Sequence, residues 1–279
     1  MDVKVRGVTD LPLLTAVEAC YDAIPRVAGA RVEPVGPFEL FLRDGTGWPL
    51  YARPRLGTTD VTSDDVALVL ARQKDLGVPR AIEWVHDQLP PLQPLVEAAG
   101  LKVQRAPLMV LSSLAPAESD ATLTMLDPDA PDFADSWAQS SAVAAIGFGA
   151  GGTTVGDAGP AERDAALTKA APEMLEFVRT SLRRPDRAEA IAATPSEGVL
   201  ARGALQGAGR AAEIVGVATL PSARRRGLGA AVSAHLARHA LATGHDLVFL
   251  SAASEDVARI YQRVGFRRIG TACIAESPH

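Results

Sequence analysis

The densest concentration of chemically useful residues is Arg224-Arg225-Arg226-Gly227-Leu228-Gly229-Ala230, an Arg-x-x-Gly-x-Gly loop that follows an apolar stretch and a proline turn and opens a helical one. Glycines let a backbone come close to a phosphate. The first-turn N–H groups of a helix have no intrahelical acceptor, and the helix dipole adds a partial positive charge to that of the arginines. The pattern predicts an anion site. It is not a Walker A loop, because the Gly-Lys-Ser/Thr ending is missing, and not a dinucleotide fingerprint, because it holds only two glycines. An arginine run at a solvated turn would need no glycines. GFGAGG at 147–152 contains Gly-x-Gly-x-x-Gly literally, but TTVGDAGP follows instead of a helix, so it reads as a loop. His235 and His239 have the spacing of a zinc pair, yet Leu236 stands where a metalloprotease carries Glu and no third ligand is near. No metal site is expected. There is no Gly-x-Ser-x-Gly elbow, and Cys20 and Cys273 form no metal-like or redox pair. A covalent acyl-enzyme therefore has no visible nucleophile.

Two residues frame the loop. Glu213, in AEIVGVATLP, precedes Arg224 by eleven residues, and Tyr261, in IYQRVGF, follows it by thirty-seven. A strand, the Arg-x-x-Gly-x-Gly loop, a helix, a strand, and a helix ending in Ile260, Tyr261, Gly265 and Phe266 follow one another. This order resembles the GNAT superfamily of N-acetyltransferases, whose signature is Arg/Gln-x-x-Gly-x-Gly/Ala followed later by Leu-Tyr-x-x-x-Gly-Phe. The match is close over about 197–275, holds only in the order of elements over 121–196, and reaches the first half only through a weak repeat.

The resemblance implies acetyl-CoA as acyl donor, without a metal. Backbone amides of Arg224, Arg225, Arg226, Gly227, Leu228, Gly229 and Ala230 would hold its pyrophosphate. Val217, Ala218 and Thr219 would pair with its pantetheine amides like an added strand. Tyr261 matches the family tyrosine that protonates the departing thiolate. One branch of the family carries Ala-Glu-Ile-Val with the glutamate as general base, which implies that Glu213 or a water takes the acceptor's proton. An ammonium of pKa near 10 is not nucleophilic until it is deprotonated. Where the family often has asparagine seven residues before the tyrosine, this chain has Ser254, which weakens that cofactor contact. The implied activity is transfer of an acetyl group, by direct attack, to an amine on a small molecule or a peptide. The alternatives are a non-catalytic acyl-CoA-binding regulator, and an acyltransferase using a longer acyl chain or a hydroxyl acceptor.

The chain that must position these residues has 279 residues, 47% hydrophobic and 22% charged, with a formal charge of −5. That is the composition of a globular protein long enough for two domains. Residues 1–118 carry 12 basic and 15 acidic side chains and 119–279 carry 16 and 18. Neither half has the basic excess of a nucleic-acid or anionic-membrane surface, so neither partner is expected. MDVKVRGVTDLPLL lacks an apolar leader core, and no stretch reaches the roughly 18 apolar residues of a membrane span. With two unpaired cysteines, a cytoplasmic protein, monomer or homodimer, is expected.

SSLAPAESDA at 112–121 reads as the linker between a domain over 1–115 and one over 119–279. Before it come two short strands around a Gly-containing turn in LFLRDGTGWPLYARPR. A helix from the N-cap Ser63 to Gly77 follows, then strand RAIEWV, helix PLQPLVEAAG and strand LKVQRAPLMVLSS. After it come strand TLTMLD, helices near 131–146 and 161–182, three strands within 187–219, the helix opened by the loop, strand LVFLSA, helix SEDVARIYQRVG and strand FRRIGTACIAE. Residues 96–111 echo 261–276 at a constant offset of 165, with Gly100 answering Gly265. The expected fold is α/β (α+β): the GNAT fold, a mixed central sheet flanked by helices, in two tandem GNAT-like lobes. The first lobe is degenerate, because it has no Arg-x-x-Gly-x-Gly loop and has Val96 at the tyrosine position.

Overall fold

A computed structural model of the chain describes residues 10–278. The first nine residues, part of the stretch read above for a leader and of the domain begun at residue 1, lie outside them. In chain order the elements are α1 (Leu11–Val27), β1 (Arg31–Val35), β2 (Phe38–Leu42), β3 (Ala52–Pro54), α2 (Ser63–Asp75), β4 (Ala81–Val85), α3 (Leu92–Ala98) and β5 (Lys102–Leu111). Then come β6 (Thr122–Met125), α4 (Phe133–Gly149), α5 (Pro160–Ala165), α6 (Pro172–Leu182), β7 (Arg187–Thr194), β8 (Gly198–Ala208) and β9 (Ala211–Thr219). A 3₁₀ turn at Pro221–Ala223 leads into α7 (Leu228–Ala242), followed by β10 (Leu247–Ser251), α8 (Glu255–Val264) and β11 (Phe266–Glu276).

Two compact units form, and they are not two consecutive segments. The first takes the chain up to Asp44, Trp48–Leu108 and everything from Arg268 onward; the second takes Gly45–Gly47 and Met109–Arg267. The chain changes unit inside β5 and inside β11, while 112–121 carries neither helix nor strand. In the first unit β1 and β2 pair antiparallel, as do β2 and β3, and β3 meets β4 in parallel at Ala52↔Ile82. The C-terminal strand β11 completes this unit by lying antiparallel on β4, with Cys273 opposite Trp84. In the second unit β6, β7, β8 and β9 pair antiparallel in turn, and β9 meets β10 in parallel. The end of β5 lies beside β10. Strands β1 to β4 and β7 to β10 thus run through the same senses, with α2 and α7 as the crossovers that parallel pairing requires. The segments that echo at an offset of 165 both make a helix end, a left-handed glycine (Gly100 at φ 84°, Gly265 at φ 110°) and a strand.

Local chemistry accounts for most elements. Helix α2 buries Val66, Val69, Leu70 and Gln73, one stripe at helical spacing. Its N-cap is Thr62 rather than Ser63, because Thr62 and Asp65 make a reciprocal capping box. The single helix expected over 161–182 is two, α5 and α6, since Pro172 has no N–H to carry a helix onward. Helix α4 runs past residue 146 to Gly149 and stops before the left-handed Gly151 and Gly152. Helix α1, not foreseen, holds Pro25 inside its last turns and buries Leu14, Val17, Cys20, Tyr21 and Ile24. Leu200, Leu205, Val232 and Leu236 lie in the core of the second unit, and Phe38, Leu40, Ile82 and Leu92 in that of the first.

Residues 119–279 expressed alone lack β4, the antiparallel partner of Ala272–Glu276. They would expose a strand edge of Ala272, Cys273, Ile274 and Ala275, the kind of edge that templates association. Size-exclusion chromatography of this fragment is expected to show aggregates, whereas the full chain elutes as one defined species.

Candidate functional site

The Arg-x-x-Gly-x-Gly loop closes the end of β9 and opens α7. Its shape comes from two left-handed residues: Gly227 at φ 77° and Arg225 at φ 70°, the one non-glycine with positive φ among the described residues. Arg224 before them is extended, at φ −64° and ψ 157°. Gly227 is the N-cap of α7, with no side-chain cap and no acidic residue in the first turn. The first helical bond is Ala231 N–H to the Gly227 carbonyl at 2.9 Å, so the amides of Leu228, Gly229 and Ala230 have no acceptor within the helix. The two glycines differ in kind. A Cβ on Gly227 would meet the Glu118 carbonyl at 3.0 Å, whereas one on Gly229 would find Thr219 Oγ1 at 3.4 Å, an ordinary contact. Gly227 is required by the fold. Gly229 is not: a Cβ there would touch Thr219 and Val217 at ordinary contact distance.

The three arginines divide. Arg224 donates to the carbonyls of Gly151 (2.7 Å), Thr154 (3.1 Å) and Gly147 (2.9 Å), fastening the end of α4 and the GFGAGG loop to the anion loop. Arg226 bridges Asp120 (2.7 Å) and Glu197 (3.0 Å) and holds the Asp120 carboxyl below its usual range. Arg225 is exposed. Of the three charges counted with the loop, two are directed to protein groups, so the exposed Arg225, the amides and the helix dipole are what the loop offers an anion.

Strand β9 supplies the second feature. Its parallel register with β10 consists of Leu247↔Ala211, Val248↔Ala212 and Phe249↔Glu213, although β9 continues to Thr219. On its other side Ala218 and Thr219 remain paired with Arg202 and Ala201 of β8. One edge of Val217, Ala218 and Thr219 is therefore open to an extended ligand. The end of α4 lies close by, since a Cβ on Gly147 would stand 3.1 Å from that of Ala218 and 3.2 Å from the Thr219 carbonyl.

Glu213 is 5% exposed, and its carboxylate accepts from Gln206 Nε2 at 2.9 Å; Gln206 Oε1 in turn accepts from Arg187 at 2.9 Å. Tyr261 lies in the last turns of α8, edge-on to Phe266 at 6.1 Å between ring centroids. Its hydroxyl bonds to Ser233, whose own proton goes to the Gly229 carbonyl at 2.8 Å. Burial pushes the phenol's pKa up to about 12, against the smaller, opposing effect of Ser233. Ser254 is the N-cap of α8, its hydroxyl oxygen accepting from Val257 N–H at 3.3 Å, which leaves the hydroxyl proton to donate elsewhere. The sequence reading missed Gln206 and Ser233. Ser233 had a signal, a polar residue one helical turn after Gly229 in an otherwise apolar first half of α7. Gln206 had none, since only the β8–β9 register places it opposite Glu213.

The first unit offers a contrast at the matching helix. The amides at the start of α2 are occupied by the capping box, with Thr62 N–H to Asp65 at 2.9 Å and Asp65 N–H to Thr62 at 3.3 Å. Asp64 and Asp65 also place negative charge in that first turn, which opposes an anionic ligand. Among the described residues, no group of His, Cys, Asp and Glu could hold a metal ion, and no helix is long and apolar enough to cross a membrane.

Comparison with known proteins agrees with this geometry. Residues 196–275 match the family model described as FR47-like protein. No curated protein matches the chain. Among solved structures, a GCN5-related N-acetyltransferase from Kribbella flavida aligns over 98% of this chain and 97% of its own, at 20% identity and a TM-score of 0.66. A functionally unknown conserved protein from Staphylococcus epidermidis covers 89% of this chain and 94% of its own, at 12% identity and a TM-score of 0.57. A tandem GNAT protein from the clavulanic acid biosynthesis pathway covers 87% of this chain and 79% of its own, at 13% identity and a TM-score of 0.51. At these identities the likeness is one of fold.

Replacing Gly227 by alanine is expected to lower stability by about 1–2 kcal/mol, the cost of a Cβ in the left-handed region. Gly229→Ala should be neutral or slightly stabilising, as alanine is the better helix former by up to about 1 kcal/mol. Urea unfolding of both variants checks the contrast. A second expectation concerns alkali. Unfolded tyrosine ionises near 10 and folded Tyr261 near about 12. Its contribution is thus complete below pH 10 and lost as pH rises toward 12, by at most about 3 kcal/mol. Tyr261→Phe should therefore lose less stability than the wild-type chain between about pH 9 and about pH 11. Equal losses would mean that the phenol is not shielded as described.

Proposed function

We propose that this chain, which carries the GNAT fold, is an acetyl-CoA-dependent N-acetyltransferase whose donor site lies in the second unit. The observation that carries the reading is the uncapped start of α7, reached through left-handed Arg225 and Gly227, at the end of a strand edge that β10 leaves open. The amides from Arg224 to Ala230 would take the pyrophosphate, with charge supplied by the helix dipole more than by Arg224 or Arg226. The open edge of Val217–Thr219 would take the pantetheine amides. A side chain larger than a methyl at Gly229 would crowd Thr219 and Val217, which belong to that edge.

An acceptor amine on a small molecule or peptide would attack the thioester carbon, forming the N–C bond as the C–S bond breaks. Glu213 would accept the amine proton directly or through water, with Gln206 orienting its carboxylate. Tyr261 would donate toward the departing sulfur. With its pKa at about 12 the phenol stays protonated at neutral pH, yet a thiol titrates near 8.5. Full transfer to a free thiolate is uphill, and the chief service of Tyr261 would be a hydrogen bond to the developing charge. The first unit, with its helix start capped and acidic, would bind no acyl donor, so one donor site per chain follows. The protein would act without metal, nucleic acid or membrane, in the cytoplasm, as monomer or homodimer. One observation favours a second reading, a regulator that binds acyl-CoA without turnover: the Tyr261 hydroxyl is buried and directed to Ser233.

Calorimetry with acetyl-CoA is expected to give one site per chain, and two sites would refute the degenerate first unit. Gly229→Val, folded, should weaken binding about tenfold or more, 1.4 kcal/mol or above; unchanged affinity would remove the loop from the donor site. Thiol release with a panel of amines separates enzyme from regulator. In the enzyme, Tyr261→Phe should lower turnover about 10²-fold with affinity retained.

A further inference from the structure

One group of charged side chains in the second unit is assigned no role by the chemistry above. Arg202 of β8 reaches three partners. Its Nη2 pairs with Glu189 Oε1 of β7 at 2.7 Å, its Nε donates to Ser140 Oγ of α4 at 3.1 Å, and its Nη1 donates to the Gly216 carbonyl of β9 at 3.0 Å. Ser140 passes its own proton to the Glu189 carboxylate. The Arg202 and Glu189 side chains are 14% and 7% exposed, and Ser140 is fully buried. Buried ion pairs of this kind add little stability over an apolar pair of the same volume. Their use lies in what they orient.

What Arg202 orients is an irregular point of β9. The β8–β9 register shifts between Arg202 and Ala204, so that Gly203 alone stands opposite Gly216 and Val217. Gly216 is left-handed at φ 62°, the conformation of a bulge that bends a strand and increases its twist. A Cβ there would meet Arg202 Nη1 at 2.6 Å, so the guanidinium sits directly against the bulge. The bulge falls three residues after Glu213, where pairing with β10 ends, and immediately before Val217–Thr219. Because a peptide unit is planar and trans, fixing the Gly216 carbonyl toward Arg202 also fixes the Val217 N–H in the opposite direction.

We propose that Arg202 is a positioning residue for the acyl donor: clamped by Glu189 and Ser140, it holds the Gly216 carbonyl and thereby the bulge that presents the Val217–Thr219 edge. The proposal rests on the donor reading of that edge. Removing Arg202 alone would strand a buried carboxylate, so the test uses the apolar pair Arg202→Met with Glu189→Met, in which Ser140 can turn to a carbonyl of its own helix. Arg202→Lys serves as the conservative companion. Expected for the double variant are a wild-type thermal midpoint, faster amide exchange confined to Val215–Thr219, and acetyl-CoA affinity weaker by about tenfold in calorimetry. KM for acetyl-CoA should rise while KM for the amine holds. Arg202→Lys should fall between wild type and the double variant. A folded double variant with wild-type exchange and affinity overturns the proposal. If the double variant does not fold, Arg202→Lys decides: change confined to Val215–Thr219 supports the proposal, and change spread through the sheet overturns it. Wild-type protein that binds no acetyl-CoA overturns the donor reading itself, a result distinct from equal binding by wild type and variant.

Discussion

The feature on which the site depends is the early end of parallel pairing between β9 and β10 at Glu213 and Phe249. Every backbone N–H and C=O needs a partner or water, and a strand that leaves its neighbour midway presents a row of such groups. In the second unit this row leads straight to the uncapped amides of α7, because only the 3₁₀ turn and the left-handed loop separate Thr219 from Leu228. An open strand edge and an open helix end become one continuous set of donors and acceptors. Glu213 sits at the point of separation, and the bulge at Gly216 follows three residues on.

The arginines of the second unit act mainly as internal ties. Arg224 gathers three carbonyls from the end of α4 and the loop after it, Arg226 joins Asp120 to Glu197, and Arg163 donates to the carbonyls of Glu197 and Val199. Hydrogen bonds to charged groups contribute about 1.5–3 kcal/mol each, enough to fix loops that have no ladder of their own. The result is an arginine-rich loop in which two of the three arginines face protein groups and only Arg225 faces outward.

Each unit repeats one plan, two antiparallel pairings followed by a parallel one across a helix, yet the helix starts are opposite in character. Thr62, Asp64 and Asp65 close and charge the start of α2, whereas Gly227 leaves that of α7 bare. Three side chains separate a capped, acidic helix start from an uncapped one, with the surrounding strand pairing unchanged. The last strands cross the plan, since β11 finishes the first unit and the end of β5 belongs to the second.

The sequence by itself determined the parts whose cause is local. Gly227 and Gly229 placed the anion loop, the apolar stripes and Gly stops of α2 and α8 placed those helices, and the spacing of Glu213, Arg224 and Tyr261 identified the GNAT order. Capping, glycine conformation and helical period act over a few residues and can be read there. Tertiary structure decided what those residues touch. Nothing in the spacing of Arg224 turns it toward Gly147, Gly151 and Thr154, and nothing in β8 announces Arg202 on the Gly216 carbonyl. Those contacts span up to 77 residues of chain. They depend on strand register, and a one-residue shift in register sends every side chain of a strand to the opposite face.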